Sequence, residues 1–173
     1  MSSFLKKGKK LIKRNLSTTT EYYRFVDLME KKVKRLIPTI RRINRFGHVG
    51  THSSRMNLKL NYNTEFVSFE NQTNRLEFHP YNGGVVLHQL WVSEKTQKQG
   101  VGSKLMELIK QVSIDNNIPV YLIPVPTDNV SMDVLRKFYH KFGYKREQNS
   151  RYWKFNPDNV FRLSHNFMFK KVS

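Results

Sequence analysis

Residues 85–112 read VVLHQLWVSEKTQKQGVGSKLMELIKQV. Val85 to Val92 is an apolar run broken only by His88 and Gln89, the pattern of a strand central to a sheet. From Ser103 to Asn116 the apolar residues Leu105, Met106, Leu108, Ile109 and Val112 recur at helical spacing. Between strand and helix, Gln97-Lys98-Gln99-Gly100-Val101-Gly102-Ser103 supplies a glycine turn that opens the helix at Lys104. A strand, a glycine turn and a helix in succession form a general device for holding phosphate. The first N–H groups of the helix point at the anion, and glycine admits a ligand where a Cβ would stand in its way. This turn has neither the Gly-Lys-Ser/Thr of a P-loop nor the third glycine and ribose-binding acid of a dinucleotide fold, so those ligands are disfavoured.

Outward from this unit, Glu65–Glu70 and Arg75–His79 are strand-like, joined by the polar loop Asn71-Gln72-Thr73-Asn74. Asn82-Gly83-Gly84 makes a second tight turn. Val120 to Val125 is the next buried strand, Ser131 to Phe142 a helix closed by Gly143, and short strands are expected near 144–155 and 166–172. Toward the N-terminus, Leu11-Ile12 sits in a stretch read as extended to Leu16. Thr18 with Glu21 forms a capping box, and the helix it starts carries Tyr22, Phe25, Val26, Met29, Val33 and Leu36 on one stripe. Pro38 ends that helix, Thr39 to Phe46 is expected to form a second short one ending at Gly47, and 48–63 carries little signal. No internal repeat is present.

The chain has 173 residues, enough for one domain with a real core, and 38% hydrophobic against 25% charged residues excludes wholesale disorder. It contains no cysteine, which removes disulfides, thiolate-bound zinc and cysteine nucleophiles. Lys and Arg number 31 against 13 Asp and Glu, a net charge of +18. Residues 1–55 hold 15 basic and 3 acidic residues, so +12 of that charge lies in the N-terminal third. Such an excess points to an anionic partner. Lys6, Lys7, Lys9, Lys10, Lys31, Lys34, Arg35, Arg41 and Arg42 are the candidates to track nucleic-acid phosphates without reading bases; a solvated face or an anionic membrane surface is the alternative. The basic, acid-free start also has the composition of a transit peptide, but its lysines outnumber its arginines, and a cytoplasmic or nucleoid-associated protein is the expectation. No apolar run reaches the length of a membrane span. His48, His52, His79, His140 and His165 show no metal-ligand spacing, and no metal site is expected.

The strand Leu87–Val92, the turn carrying Gln97, Gly100 and Gly102, and a second segment, Leu135-Arg136-Lys137-Phe138-Tyr139-His140-Lys141-Phe142-Gly143-Tyr144, together resemble the Gcn5-related N-acetyltransferase (GNAT) superfamily. The turn matches the family's Gln/Arg-x-x-Gly-x-Gly/Ala pattern, and the second segment its helix carrying Phe-Tyr and closing on Gly-Tyr. The resemblance is strongest over 85–145. It implies an α/β (α+β) fold with a mixed, mostly antiparallel twisted sheet of about six to seven strands flanked by about four helices. It also implies a single domain over 1–173 with a basic segment at about 1–50, binding acetyl-CoA and transferring its acyl group directly to an amine.

By position, the resemblance assigns the backbone amides of Gln99, Gly100, Val101, Gly102 and Ser103 to the CoA pyrophosphate, with Gln97 in the same loop. Leu90 and Val92 fall to the pantetheine arm and acyl carbonyl, and Asn129 to a further contact with the CoA arm. Tyr139 matches the general acid, whose phenol keeps its proton at neutral pH. His88 is the candidate base, set four residues before Val92 and expected on the same face. Members acting on arylalkylamines carry histidine there; many others place glutamate two residues earlier, where this chain has Val86. Each assignment has a structural alternative: a plain turn at 97–103, a core tyrosine in the stripe Leu135, Phe138, Tyr139 and Phe142, a hydrogen-bonded core histidine, and a helix cap at Asn129. The acceptor is read as an amine on or beside nucleic acid. The competing readings are a non-catalytic nucleic-acid-binding or assembly protein on the same scaffold, and a small-amine acetyltransferase whose basic arm serves localisation.

Overall fold

The computed structural model describes residues 3–46, 65–81, 83–97 and 99–158, with side chains over 20–45 and 66–158 of these. Seven strands form one sheet in the order β1-β2-β3-β4-β5-β7-β6. The strands are β1 (Arg41–Phe46), β2 (Glu65–Glu70), β3 (Asn74–Tyr81), β4 (Gly84–Val92), β5 (Val120–Leu122), β6 (Lys145–Arg146) and β7 (Trp153–Phe155), and the helices are α1 (Ser3–Leu36), α2 (Glu94–Gln97), α3 (Val101–Asn116) and α4 (Met132–Lys141). Every strand pair is antiparallel except β4 with β5. A parallel pair needs a crossover, which α3 supplies. This is the expected mixed sheet. Among the described residues no helix is long and apolar enough to cross a membrane.

One sheet face carries the core. Phe25 of α1 packs edge-on against Phe78 of β3, and Val26, Met29, Val33, Leu76, Val85, Leu105, Ile109, Val120 and Leu122 are buried around them. The Tyr22 hydroxyl donates to the Phe78 carbonyl at 2.8 Å across this seam. The loop expected at 71–74 is an Asn-centred turn, in which Asn71 Oδ1 accepts from the amides of Thr73 and Asn74. The turn after β3 is closed by Gly83 at φ +73°. Of the late strands, β6 and β7 fall within the expected 144–155; the one expected at 166–172 lies outside the described residues.

Three local expectations are corrected. Thr18 and Glu21 do not start a helix, because α1 runs back to Ser3. The Lys-, Leu- and Arg-rich residues ahead of Thr18, also expected to be extended, are adequate helix formers without proline, and a preceding turn supplies the carbonyls that a cap would replace. Arg41–Phe46 is a strand rather than a helix. Pairing with β2 over six positions, and the Arg45–Glu70 ion pair at 2.8 Å, outweigh a weak local preference. Gly47, the expected stop, lies outside the described residues. Third, β5 ends at Leu122 rather than Val125, which is decisive for the site.

Candidate functional site

β4 has nine residues and β5 three, and their parallel pairing covers only Val85, Val86 and Leu87. Beyond Leu87, β4 continues along β3 alone. The register between β3 and β4 shifts there: Phe78 pairs with Leu87, and Glu77 with Gln89. His88 and Gln89 together therefore oppose Glu77, a β-bulge. Val85 donates its N–H toward β5, to the Pro119 carbonyl at 3.0 Å, whereas Ser93 donates toward β3, to Thr73 at 2.8 Å. With residues two apart pointing the same way, the bulge leaves the backbone groups of Leu90 and Val92 facing the gap that opens past Leu122. These are the two strand residues expected to meet a pantetheine arm. The bulge also corrects the expectation that His88 and Val92 share a face. Val92 joins the core side, while His88 lies with Glu77 and His79 on the other.

The glycine turn closes one end of this gap. Gly100 is the N-cap of α3, at φ +72° and ψ 14°, and no side chain caps the helix. A Cβ on Gly100 would meet nothing within 4 Å, so its positive φ, not crowding, is what glycine serves there. The Gln99 and Gly100 amides already donate to the Thr96 and Gln97 carbonyls, at 3.0 and 3.3 Å. Their expected share in an anion cradle is thus corrected: the N–H groups left without helical partners are those of Val101, Gly102 and Ser103. Gln97 Nε2 donates to the Val92 carbonyl at 3.0 Å and ties the turn to the strand end. A Cβ on Gly102 would lie 3.8 Å from Val92 and 4.0 Å from Phe138. Strand end, turn and α4 converge on that glycine.

On α4, Phe138 and Tyr139 pack edge-on with ring centroids 5.3 Å apart. Burial pushes the Tyr139 phenol up to about 12. Tyr144, fully buried with no hydrogen-bond partner for its hydroxyl among the described residues, stands 6.1 Å from the Tyr139 ring. Asn129 is exposed in the turn 127–130, held by the mutual backbone hydrogen bonds of Thr127 and Val130. It is not the helix cap; Ser131 is, accepting from the Val134 amide.

The opposite sheet face brings together residues that the sequence reading left apart. Glu77 Oε1 lies 2.9 Å from His79 Nε2 and 2.9 Å from His88 Nδ1, and Oε2 lies 3.0 Å from Arg75 Nη2. Burial alone would raise the Glu77 pKa, but contacts with both histidines outweigh it and hold the carboxyl far below the usual range. His79 is pushed down, chiefly by burial. The donor atoms of Glu77, His79 and His88 all lie within 4.8 Å of one another, a clustering that chain spacing did not reveal. The available signal was Glu77-x-His79, which shares a strand face by alternation.

The basic candidates divide. Lys6, Lys7, Lys9 and Lys10 fall on α1, with side chains outside the described residues. Lys31, Arg35 and Arg41 are exposed. Lys34 pairs with Glu30 at 2.5 Å, and Arg42 bridges Asp27 at 2.6 Å and Glu30 at 3.0 Å. Arg41 and Arg42 also stand on the sheet's edge strand, where charge discourages edge-to-edge pairing.

A family model described as an acetyltransferase (GNAT) domain matches residues 65–146, from β2 through β6. The chain carries a GNAT-superfamily acetyltransferase domain. The match holds the gap between β4 and β5, the glycine turn, His88 and Tyr139. Among solved structures, parts of the chain are similar to the anti-CRISPR protein AcrVA5, at 21% identity over 53% of this chain and 98% of that one, with a TM-score of 0.45. They are also similar to a GNAT-family acetyltransferase from Staphylococcus aureus Mu50, at 16% identity over 54% and 67% of the two chains and a TM-score of 0.39. The putative N-acetyl transferase YhhK from E. coli, solved bound to coenzyme A, shares 14% identity over 68% and 98%, with a TM-score of 0.42. No curated protein matches the chain.

Proposed function

We propose that the chain is an acetyl-CoA-dependent N-acetyltransferase. The observation that carries this reading is the gap past Leu122: it joins inward-facing backbone groups at Leu90 and Val92 to an uncapped helix N-terminus, with His88 and Tyr139 on the flanking elements. These residues fit acetyl-CoA. The amides of Val101, Gly102 and Ser103 suit a pyrophosphate, and the β4 edge past Leu87, whose Val92 carbonyl already accepts from Gln97, suits an amide-bearing arm that hydrogen-bonds like a further strand. Acetyl-CoA, when bound, supplies the thioester carbonyl that an amine attacks and the thiolate that departs. His88 Nε2 takes the proton that the attacking amine must lose as its N–C bond forms. Tyr139, kept protonated at neutral pH by burial, gives its hydroxyl proton to the departing sulfur, and solvent restores both groups. Asn129, exposed near the start of α4, is proposed as a contact for the CoA arm.

The acceptor is proposed to be an amine carried on or beside nucleic acid. What supports this is the net charge of +18, concentrated in the first 55 residues, together with exposed Lys31, Arg35 and Arg41. The deciding experiment is calorimetric titration of nucleic-acid-free protein with acetyl-CoA, beside Gly102→Asp. That change adds a carboxylate at the helix N-terminus, where a Cβ meets only ordinary contacts. Micromolar binding, weakened at least tenfold in Gly102→Asp, is expected. Absence of binding by folded wild-type protein would overturn the enzymatic reading and favour a non-catalytic, polyanion-binding scaffold.

A further inference from the structure

We infer that Glu77 is the positioning residue for His88: from β3 it fixes the imidazole as its Nδ1–H form and leaves Nε2 as the proton-accepting atom. The inference rests on His88 as the base in the proposed reaction. A carboxylate only accepts hydrogen bonds. Glu77 Oε1 accepts a hydrogen bond from His79 Nε2 at 2.9 Å and lies 2.9 Å from His88 Nδ1, a separation at which a bare nitrogen lone pair would repel the carboxylate, so the hydrogen is favoured on Nδ1. A neutral His88 then has its lone pair on Nε2, which is buried and has no hydrogen-bond partner among the described residues. His88 Nδ1 is close to the carboxylate but off the hydrogen-bond axis.

The carboxylate cannot easily turn away. Its second oxygen is held by Arg75 Nη2 at 3.0 Å, and Arg75 Nε lies 3.4 Å from Glu70 on β2. His79 is itself clamped, stacked at 4.6 Å and 10° against Phe66 of β2. Among the described residues, Glu77 and His79 are the ionisable groups in contact with His88, with Arg75 on the far oxygen of the carboxylate and Glu70 beyond it. Neutral His79 adds no charge, and one carboxylate is shared between Arg75 and the imidazolium that forms at His88 on proton transfer. The bulge places this machinery at the first residue after the last β4–β5 pair, where the gap begins. Glu77 touches no reacting atom; it acts through His88.

The test is ring-nitrogen NMR of the histidines in the full chain without ligand, with His88 assigned by His88→Gln. The Nδ1–H form with a bare Nε2 is expected at pH 7.5. Glu77→Gln should lose that preference, whereas Glu77→Asp should retain most of it. Acetyl-CoA affinity should change less than twofold in either variant. The wild-type spectrum decides even where a variant fails to fold: His88 as its Nε2–H form overturns the inference. So does a tautomer unmoved in Glu77→Gln, or stoichiometric zinc binding that needs Glu77, His79 and His88 together and makes them a metal centre. Failure of acetyl-CoA to bind would defeat the proposed reaction while leaving the tautomer measurement standing.

Discussion

The two faces of one sheet, built from the same strands, are made of different chemistry. Toward α1 and α3, β3 and β4 present Leu76, Phe78, Val85 and Leu87, buried among other apolar side chains. On the other side the same strands present Arg75, Glu77, His79 and His88, tied by ion pairs and close polar contacts. Ser68 on β2 is buried there with no partner for its hydroxyl among the described residues. Burying a carboxylate is costly unless its partners are in place, and here Arg75 and the two histidines supply them. The contrast separates an apolar face from one that buries paired ionisable groups.

Phe78→Ala attacks the apolar face at its centre. A loss of about 3–5 kcal/mol in chemical denaturation is expected from the cavity and the lost burial; a smaller loss with an intact fold would mean that the face is not the main source of stability. Tyr139→Phe leaves packing nearly unchanged and should lower the acetyl-transfer rate by about 10²–10⁴-fold, with acetyl-CoA affinity retained. A rate near wild type would leave Tyr139 a core residue.

Acid titration of stability probes the polar face. The folded-state pKa of His79 is depressed, so below its ordinary value near 6.5 the unfolded chain binds the extra proton and stability falls as pH decreases. His79→Phe should flatten that fall between pH 7 and 5, as followed by denaturation midpoints. Glu77, also depressed, contributes stability above the unfolded carboxyl range near 4.3 and loses it progressively at lower pH.

Two small effects sharpen the contrast. Tyr22→Phe deletes the hydroxyl that donates to the Phe78 carbonyl within the apolar seam, and should cost about 1 kcal/mol. Ser68→Ala should change stability by less than about 0.5 kcal/mol, or raise it, because a buried hydroxyl with no partner among the described residues adds little to the folded state. A loss of about 1 kcal/mol or more would show that Ser68 has a partner that matters.

The chain order of local patterns was enough to determine much of this protein. The apolar run from Val85 to Val92, the glycine turn and the stripes of α3 and α4 each depend on neighbours within a few residues, and the strand, turn and helices formed where expected. The same locality explains the buried stripe of Tyr22, Phe25, Val26, Met29 and Val33. Arg41–Phe46 went the other way, because a strand is stabilised by a partner distant in sequence, here β2, and no window of the chain contains that partner. The short reach of β5 and the bulge opposite Glu77 are likewise properties of pairing between strands. They decide which backbone groups of β4 face the gap and which side His88 takes. The clustering of His88 with Glu77 and His79 is tertiary for the same reason: His88, nine residues from His79 and eleven from Glu77, meets them only when β3 lies against β4 in one register. The residue types at the site are written in the sequence, but the contact of Glu77 with both histidines exists only once the sheet has formed.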